Sequence, residues 1–482
     1  MHLLTVHRPG GEIREIEFEK ETLLSELLQG IPEAPDLVCG GAGVCGKCRV
    51  IARGALRPVP ADGECLACQT VAEGDAEVFL KNTQGGICAI SESGYRPDAK
   101  LMPSFEGKYG VAVDIGTTTV ALQLFDLETG EALGSRSVQN PQCAVAADVI
   151  GRIQASLDGK GKVQKTLIED CIRSLTESAC LSAGISTDDV STFVIAGNTT
   201  MLYLLTERSP ETLARAPFKA DCLFDIKDGN VYYPPCMDAF VGADITCAVL
   251  ASEMTERDET SLLIDLGTNG EMALWHDGKL ICTSTAAGPA FEGGGISCGS
   301  AAVAGAVETV RVEDGELRVS TIGGAKAQSI CGSGLIDAVA AFLELEYIDE
   351  TGAADEDTMP VADDVSLTQK DIRQVQLAKG AIAAGAQTLL KHAGVTLSDV
   401  KRLYIAGGFG QHLPIDSAVK IGLIPELPTT VLGNASLSGA ALMLLNRDWL
   451  EKGRRIAGNA VCHNLSSDPF FSDAFIENMM FE

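Results

Sequence analysis

The sequence predicts a small α+β domain followed by a larger α/β unit that consists of two related halves. The first 80 or so residues contain a strand–turn–strand pattern, a short helix and further strand-like runs. Beyond them, VAVDIGTTTVAL at 111–122 and LLIDLGTNGEMAL at 262–274 each join an apolar strand through an Asp and a glycine turn to a second strand. Because these two segments lie about one domain length (roughly 150 residues) apart, they indicate an internal duplication.

The amino-acid composition and charge exclude several classes of protein. The chain has 482 residues, 46% of them hydrophobic, and a formal net charge of −29. A surface of this sign argues against a nucleic-acid partner. We find no apolar run of about 18 residues and no signal-peptide pattern, so we expect no membrane span and a cytoplasmic location. In that reducing compartment, the 16 cysteines are poor candidates for a disulfide framework.

Residues 1–82 are predicted to form a β-grasp domain. Strand-like runs at 3–7 and 12–18 flank a Pro-Gly-Gly turn, and a helix follows from a cap at Thr22 to Gly30. A glycine-rich cysteine loop then leads to strand-like residues 48–52 and 76–80. Residues 83–107, rich in Gly, Ser, Pro and charge, are interpreted as a linker.

The remaining chain is divided into two lobes, 108–258 and 259–482. A second internal similarity pairs VIAGNTT at 194–200 with YIAGGFG at 404–410, each a strand that runs into a glycine turn. The second lobe also contains an acidic stretch, 349–364, for which we favour a solvated loop. A capping box at Thr368 and a glycine at Gly394 predict a helix between them.

Five cysteines are clustered near the N-terminus. Cys39, Cys45 and Cys48 have C-x5-C-x2-C spacing, and Cys65 and Cys68 follow as C-x2-C. Four thiolates on a glycine-rich loop are typical of an iron–sulfur site, because glycine lets the backbone wrap the cluster closely. Zinc is the alternative, since the last four of these cysteines also fit zinc-ribbon spacing.

The segments CGGAGVCGKC and LACQT resemble the [2Fe–2S] ferredoxins of the adrenodoxin type. This resemblance implies a [2Fe–2S] cluster held by Cys39, Cys45, Cys48 and Cys68, the last being the Cys of the family's LACQ sequence. Cys65 is then a spare thiol, although an exchange between two cysteines three residues apart stays open.

The two D-x-G-T segments have the chemistry of a phosphate site. Their turns present backbone N–H groups and hydroxyls, while each Asp is able to hold Mg²⁺ through water. Together with the glycine turn at 407–409, they resemble the phosphate and adenosine segments of the actin, Hsp70 and sugar-kinase superfamily, a duplicated ribonuclease H-like fold that binds ATP with Mg²⁺ between two lobes. The Walker pattern is absent.

This resemblance implies a set of nucleotide-binding residues. The first phosphate turn contributes Asp114, Gly116, Thr117, Thr118 and Thr119; the second contributes Asp265, Gly267, Thr268, Asn269 and Glu271; the adenosine segment contributes Gly407, Gly408 and Phe409. Asp114 and Asp265 are expected to position Mg²⁺ and the attacking water. An inter-lobe helix is expected near 433–440.

The combination of both units, with the stretches at 140–153, 195–205, 284–296 and 330–340, resembles the reductive activators of corrinoid proteins. This implies an ATP-dependent one-electron reduction of a partner's Co(II) corrinoid to Co(I) in a methyltransferase system. The resemblance suggests a homodimer and leaves the electron donor open. The chain departs from the family at Ala147, where a glycine is usual, and in its short linker.

Some alternatives stay open at this point. Glu292, in GPAFEGG, is a candidate for water activation or an ordinary surface residue. The whole chain also fits a sugar- or acid-type kinase with a redox-sensing domain, a non-catalytic ATP-binding module, or an ATP-dependent activator of another low-potential enzyme.

Overall fold

The computed structural model describes residues 2–8, 13–28, 31, 48–59, 63–80, 101–354 and 356–481. The N-terminal elements are β1 (His2–His7), β2 (Ile13–Phe18), β3 (Thr22–Leu23), α1 (Leu24–Leu27), β4 (Arg49–Arg57), β5 (Glu64–Leu66) and β6 (Val71–Phe79). They form a sheet in the order β2-β1-β6-β4-β5, and β3 also pairs with β6. Strand β1 is antiparallel to β2 and parallel to β6, as the predicted α+β arrangement requires.

The predicted N-terminal helix is shorter than expected. Thr22 and Leu23 do not begin the helix but pair with Ala72 and Val71 of β6. Helix α1 is a single turn in which Leu24 is the buried residue. The expectation of a helix from Thr22 to Gly30 is therefore wrong at its start, because strand pairing outweighs the local helical pattern.

The first lobe is built on one mixed sheet with helices against it. Its elements are β7 (Tyr109–Ile115), β8 (Thr119–Asp126), β9 (Ala132–Gln139), α2 (Val149–Ala155), α3 (Gly161–Ala183), β10 (Val190–Gly197), α4 (Thr199–Leu205), α5 (Glu211–Ala214), β11 (Ile226–Asp228), β12 (Val231–Tyr233) and α6 (Ala243–Ser252). The strand order is β11-β12-β10-β7-β8-β9. Strands β7 and β10 are buried along almost their whole length, as is usual for strands covered on both faces.

The second lobe repeats this plan with additional elements. Its elements are β13 (Ser261–Leu266), β14 (Gly270–His276), β15 (Lys279–Thr285), β16 (Ala306–Glu313), β17 (Glu316–Thr321), β18 (Ser329–Ile330), α7 (Gly332–Glu344), β19 (Thr358–Ala362), β20 (Val365–Thr368), α8 (Gln369–Ala393), β21 (Arg402–Ala406), α9 (Ile415–Lys420), β22 (Thr429–Gly433), α10 (Ala435–Leu445), α11 (Arg447–Asn459), β23 (Ala460–Cys462) and α12 (Pro469–Glu477). The main sheet has the order β22-β21-β13-β14-β15-β23.

The two main sheets share the topology that the sequence duplication predicts. In each, an antiparallel meander of three strands (β7-β8-β9 and β13-β14-β15) is joined through its first strand to a later parallel strand, β10 or β21. Asp114 pairs in register with Ala196, and Asp265 with Ala406. Both aspartates therefore lie at the carboxyl ends of equivalent strands, where ligands of α/β sheets bind.

Helix α8 has the ends that the sequence predicts. The Thr368 hydroxyl and the Asp371 carboxylate form a capping box, and Gly394 ends the helix in the left-handed conformation. The acidic stretch 349–364 differs from expectation, because Thr358–Ala362 is a strand rather than a loop. Alternate residues of that strand, Met359 and Val361, are buried against the core of the lobe. Within the described ranges, no helix is long and apolar enough to span a membrane.

Helix α10 lies where the inter-lobe helix is expected and crosses α6 of the first lobe at very short range. A Cβ at Gly439 would lie 2.1 Å from the carbonyl oxygen of Cys247. The two helices share one buried cluster with β7, β10 and β13. From Leu101, the chain also packs on the end of α10: the Met102 amide donates to the Leu445 carbonyl at 3.0 Å. The packing of α6 against α10 joins the two lobes.

The helix crossing predicts an unequal effect of two Gly→Ala substitutions. Gly439→Ala forces α6 and α10 apart, so we expect it to lower the free energy of unfolding by about 1–3 kcal/mol. Gly458→Ala, in α11, adds a Cβ with nothing within 4 Å and should stabilise the helix by about 0.5–1 kcal/mol. Urea unfolding of both variants measures the difference. Equal effects would contradict the close contact.

Candidate functional site

The first candidate phosphate turn lies between β7 and β8. The Gly116 amide donates to the Thr119 carbonyl at 2.8 Å, which closes the turn. Asp114 lies at the carboxyl end of β7, just before it. Asp114 accepts hydrogen bonds from Asn434 Nδ2 at 3.0 Å and Ser436 Oγ at 2.7 Å, both at the start of α10. The carboxylate of the first lobe is thus oriented by residues near the other end of the chain.

The second candidate turn joins β13 to β14 in the same way. The Gly267 amide donates to the Asn269 carbonyl at 3.1 Å. Asp265 and Glu271 are cross-strand partners, so their side chains lie on the same face of the sheet. The turn itself is fastened to the following loop, because the Gly288 amide donates to the Thr268 carbonyl at 2.9 Å.

The two turns meet through three side chains. Thr118 Oγ1 and Thr268 Oγ1 are 3.0 Å apart. Each hydroxyl also lies 2.8 Å from the same oxygen of Glu292, Oε2, to which it donates. Glu292 is therefore not an isolated surface residue but a bridge between the lobes. The structure brings together residues 150 positions apart in the sequence, as a single site between the lobes requires.

Five carboxylates crowd this cleft. Burial and the nearby charges of Asp244 and Asp114 raise the pKa of Asp265 to about 8. Burial also raises the pKa of Asp244 to about 7, opposed by backbone hydrogen bonds and increased further by the charge of Asp114. The pKa values of Asp114, Glu271 and Glu292 are raised as well, in each case mainly by burial. Such mutual repulsion favours binding of a cation.

Asp244 is the member of this group that sequence reasoning missed. It lies in the first turn of α6, in the segment VGADITCAVLA. A single carboxylate at the start of an otherwise apolar helix is the signal that could have pointed to it, since charged residues are seldom buried without a purpose. Its proximity to Asp265 and Glu271 follows only from the tertiary fold.

The predicted adenosine segment lies against the second turn. Gly407 has a φ of +94°, and a Cβ there would lie 2.5 Å from the Leu266 carbonyl oxygen and 2.6 Å from Asp265 Oδ1. Only glycine fits so close to the turn. After Gly408, the Phe409 ring stacks on Phe291 with centroids 5.7 Å apart and an interplanar angle of 11°. The two stacked rings form an aromatic surface beside the cleft.

Two of the predicted cluster ligands are adjacent in the N-terminal unit. Cys48 Sγ and Cys68 Sγ are 3.1 Å apart, and both side chains are buried. Cys65 is partly buried, and this burial raises the pKa of its thiol. Cys39 and Cys45 lie outside the described residues. Within the described ranges, no three Cys, His, Asp or Glu side chains form a group that holds a metal by itself.

Comparisons with known proteins identify the family. A model of the RACo middle region matches residues 109–257, and a model of the C-terminal domain of RACo, the ASKHA domain, matches residues 259–482. The chain belongs to the RACo family of corrinoid activators. The ASKHA domain of this RACo-family chain contains the second candidate turn and the predicted adenosine segment, and the RACo middle region contains the first candidate turn.

Other RACo-like proteins match most of the chain. The corrinoid activation enzyme RamQ of Eubacterium limosum is 29% identical over 97% of each chain. The [Co(II) methylated amine-specific corrinoid protein] reductase of Methanosarcina barkeri is 27% identical over 74% of each. A solved structure, a reductive activator for corrinoid, iron–sulfur protein, matches with a TM-score of 0.74 and 28% identity, over 100% of this chain and 98% of that one.

The raised pKa of Asp265, about 8, predicts a pH-dependent loss of stability. Between about pH 4 and pH 8 the folded state keeps a proton that the unfolded state has lost, so stability falls as pH rises through this window. A single group contributes at most about 1.4 kcal/mol per pH unit. Asp265→Asn removes this contribution, and its melting temperature should change less between pH 6 and pH 8 than that of the wild type.

The measurement uses protein in EDTA without nucleotide, followed by circular dichroism. Asp158→Asn is the matched control, because Asp158 is exposed in the turn after α2, and it should keep the wild-type pH dependence. A wild-type dependence in Asp265→Asn would contradict the crowding of carboxylates.

Proposed function

We propose that this protein is an ATP-dependent reductive activator that returns the Co(II) corrinoid of a methyltransferase-system corrinoid protein to Co(I). The observation that carries the proposal is the meeting of both phosphate turns at Thr118, Thr268 and Glu292, with distances of 2.8–3.0 Å. This geometry supports one ATP-binding cleft between two lobes, in a chain that also carries a cysteine-rich unit. Membership of the RACo family supplies the corrinoid protein as the partner.

ATP would bind with Mg²⁺ in this cleft. The residues proposed to bind it are Gly116, Thr117, Thr118 and Thr119 of the first turn, Gly267, Thr268, Asn269 and Glu271 of the second, and Gly407, Gly408 and Phe409 beside the adenosine. Asp114 and Asp265 would hold Mg²⁺ through water. Mg²⁺ commonly keeps several waters and binds through one or two carboxylates together with phosphates. A cleft that lacks a complete set of protein ligands fits this mode of binding.

Glu292 is proposed to act on the attacking water. Its Oε2 accepts hydrogen bonds from both threonine hydroxyls, and these hold the carboxylate between the turns. Burial raises its pKa, which makes a carboxylate a better proton acceptor. The residue is thus placed to take a proton from water beside the phosphate groups.

The N-terminal unit is proposed to hold a [2Fe–2S] cluster through Cys39, Cys45, Cys48 and Cys68. The fit is supported by the buried thiols of Cys48 and Cys68, which converge to 3.1 Å. Such a cluster supplies a one-electron carrier near about −400 mV. No disulfide is formed among the described cysteines, which fits the proposed location in the reducing cytoplasm.

The energetics explain why ATP is needed. Co(I) corrinoids are more reducing than a plant-type ferredoxin, and each 59 mV or so uphill costs about 1.4 kcal/mol in a one-electron transfer. ATP assists only if it binds one conformation of the protein better than another. Phosphate groups bound where Thr118, Thr268 and Glu292 meet would contact both lobes. ATP would therefore bind the conformation in which the two turns meet better than one in which they are apart.

The ligand assignment predicts different results for two neighbouring cysteines. Cys68→Ala should lose most of the iron and the visible absorption of the anaerobically purified protein, whereas Cys65→Ala should keep both. Iron analysis and an absorption spectrum provide the measurement. The reverse result would move the fourth ligand to Cys65, and a colourless, zinc-loaded wild type would contradict the redox proposal.

If a corrinoid protein is the partner, its binding should stimulate ATP hydrolysis. We expect phosphate release to rise several-fold when a Co(II) corrinoid protein is added, because docking favours the hydrolytic conformation. Asp114→Asn should abolish the stimulated rate. Sugars and small carboxylic acids serve as controls and should have no effect. ATP consumption that depends on such an acceptor would instead identify a small-molecule kinase.

A further inference from the structure

The first phosphate turn is held from behind by two buried residues of the first lobe, Asn140 and Arg152. Asn140 is completely buried. Its Nδ2 donates to the Gly116 carbonyl at 2.8 Å, and its amide donates to the Thr118 carbonyl at 2.7 Å. One residue therefore binds two carbonyls of the turn.

Arg152 of α2 binds the carbonyl between these two. Its Nη2 donates to the Thr117 carbonyl at 2.7 Å, and its side chain is also completely buried. The guanidinium is fixed further by the Ala146 carbonyl at 3.0 Å and by Gln142 Oε1 at 3.4 Å. Three successive carbonyls of the turn thus point into the protein.

This arrangement determines where the amides of the turn point. In a trans peptide, the C=O and the following N–H point in opposite directions. When the carbonyls of Gly116, Thr117 and Thr118 point to Asn140 and Arg152, the next amides point the other way. A row of N–H groups in a turn is a typical binding site for phosphate oxygens.

Among the described residues, no carboxylate is in hydrogen-bond contact with the guanidinium of Arg152. The atoms that accept its hydrogen bonds are carbonyl and amide oxygens and the sulfur atoms of Cys143 and Met201. Burial lowers the pKa of Arg152, and this is opposed by the neighbouring thiol of Cys143 and, at longer range, by the charge of Asp148. A buried cation is costly unless an anion compensates it, and phosphate groups bound at the amides on the far side of the Thr117 peptide would supply that anion.

The second turn lacks an equivalent arrangement among the described residues. The Thr268 carbonyl accepts from the Gly288 amide, which belongs to the loop that carries Glu292. The first turn is therefore fixed to the body of its lobe, while the second is fixed to a glycine-rich loop.

We infer that Arg152, together with Asn140, is a positioning residue for the phosphate groups of ATP: it orients the first turn and places a buried positive charge behind it. The inference rests on the proposed binding of ATP in the cleft. Arg152 would act through the first turn and would not contact the nucleotide itself. The stretch 140–153 would thereby have a role in ATP binding.

The test separates phosphate binding from adenosine binding. Dissociation constants of MgADP and of adenosine are measured by calorimetry on the full-length protein, for the wild type, Arg152→Met, Arg152→Lys and Arg136→Met. Arg136 is the matched control, because it lies in β9 of the same lobe and bonds Ser178 and Ser182 instead of the turn. Thermal unfolding without nucleotide reports whether each variant folds.

We expect Arg152→Met to weaken MgADP binding about 10- to 100-fold, because a charge-assisted hydrogen bond and its orienting effect are lost. Adenosine binding should change less than about twofold, since its segment lies in the other lobe. Arg152→Lys should recover part of the loss through its charge, and Arg136→Met should bind both ligands like the wild type.

Two results would overturn the inference. Unchanged MgADP binding in Arg152→Met would show that the turn needs no such support. A parallel loss of MgADP and adenosine binding would indicate general disruption. If Arg152→Met does not fold, Asn140→Ala removes the neighbouring donor and must show the same selective loss. A wild type that binds neither ligand would instead contradict the proposed function, and with it this inference.

Discussion

The hydrogen bonds from Asn434 and Ser436 to Asp114 connect parts of the chain 320 and 322 residues apart, and the site depends on them. They are formed at the start of α10, whose Gly439 allows it to pack directly on α6. Hydrogen bonds to a charged group contribute about 1.5–3 kcal/mol each. The orientation of Asp114, beside the first candidate turn, is therefore coupled to the packing of α10 against the first lobe.

The buried carboxylates of the cleft lower the stability of the folded protein. Burial raises the pKa values of Asp114, Asp244, Asp265, Glu271 and Glu292, and the charges of neighbouring carboxylates raise those of Asp244, Asp265 and Glu271 further. Proteins keep such unfavourable arrangements mainly at functional sites. A magnesium–nucleotide complex would relieve the repulsion and would therefore stabilise the arrangement in which the two turns meet.

Local patterns in the sequence predicted the elements whose signals are local. The capping box at Thr368 and the equivalent positions of Asp114 and Asp265 can be read from short motifs, and the structure agrees with them. Asp244 could not be placed in the cleft in this way, because its neighbours Asp114, Asp265 and Glu271 are distant from it in the sequence. Nor could the bond of Asn434 to Asp114, since a helix cap and a site residue look alike in sequence. The strand Thr358–Ala362 was missed because its alternation is hidden in an acidic stretch.

ATP and the cysteine-rich unit are proposed to act together on a corrinoid. The most direct measurement mixes the chemically reduced protein anaerobically with a Co(II) corrinoid protein and follows the Co(I) absorption band with and without MgATP. Co(I) should appear with MgATP and not without it. The Asp114→Asn variant, whose cysteines are intact, should form no Co(I). Equal Co(I) formation without ATP, or none with any corrinoid partner, would contradict ATP-dependent reduction of a corrinoid by this protein.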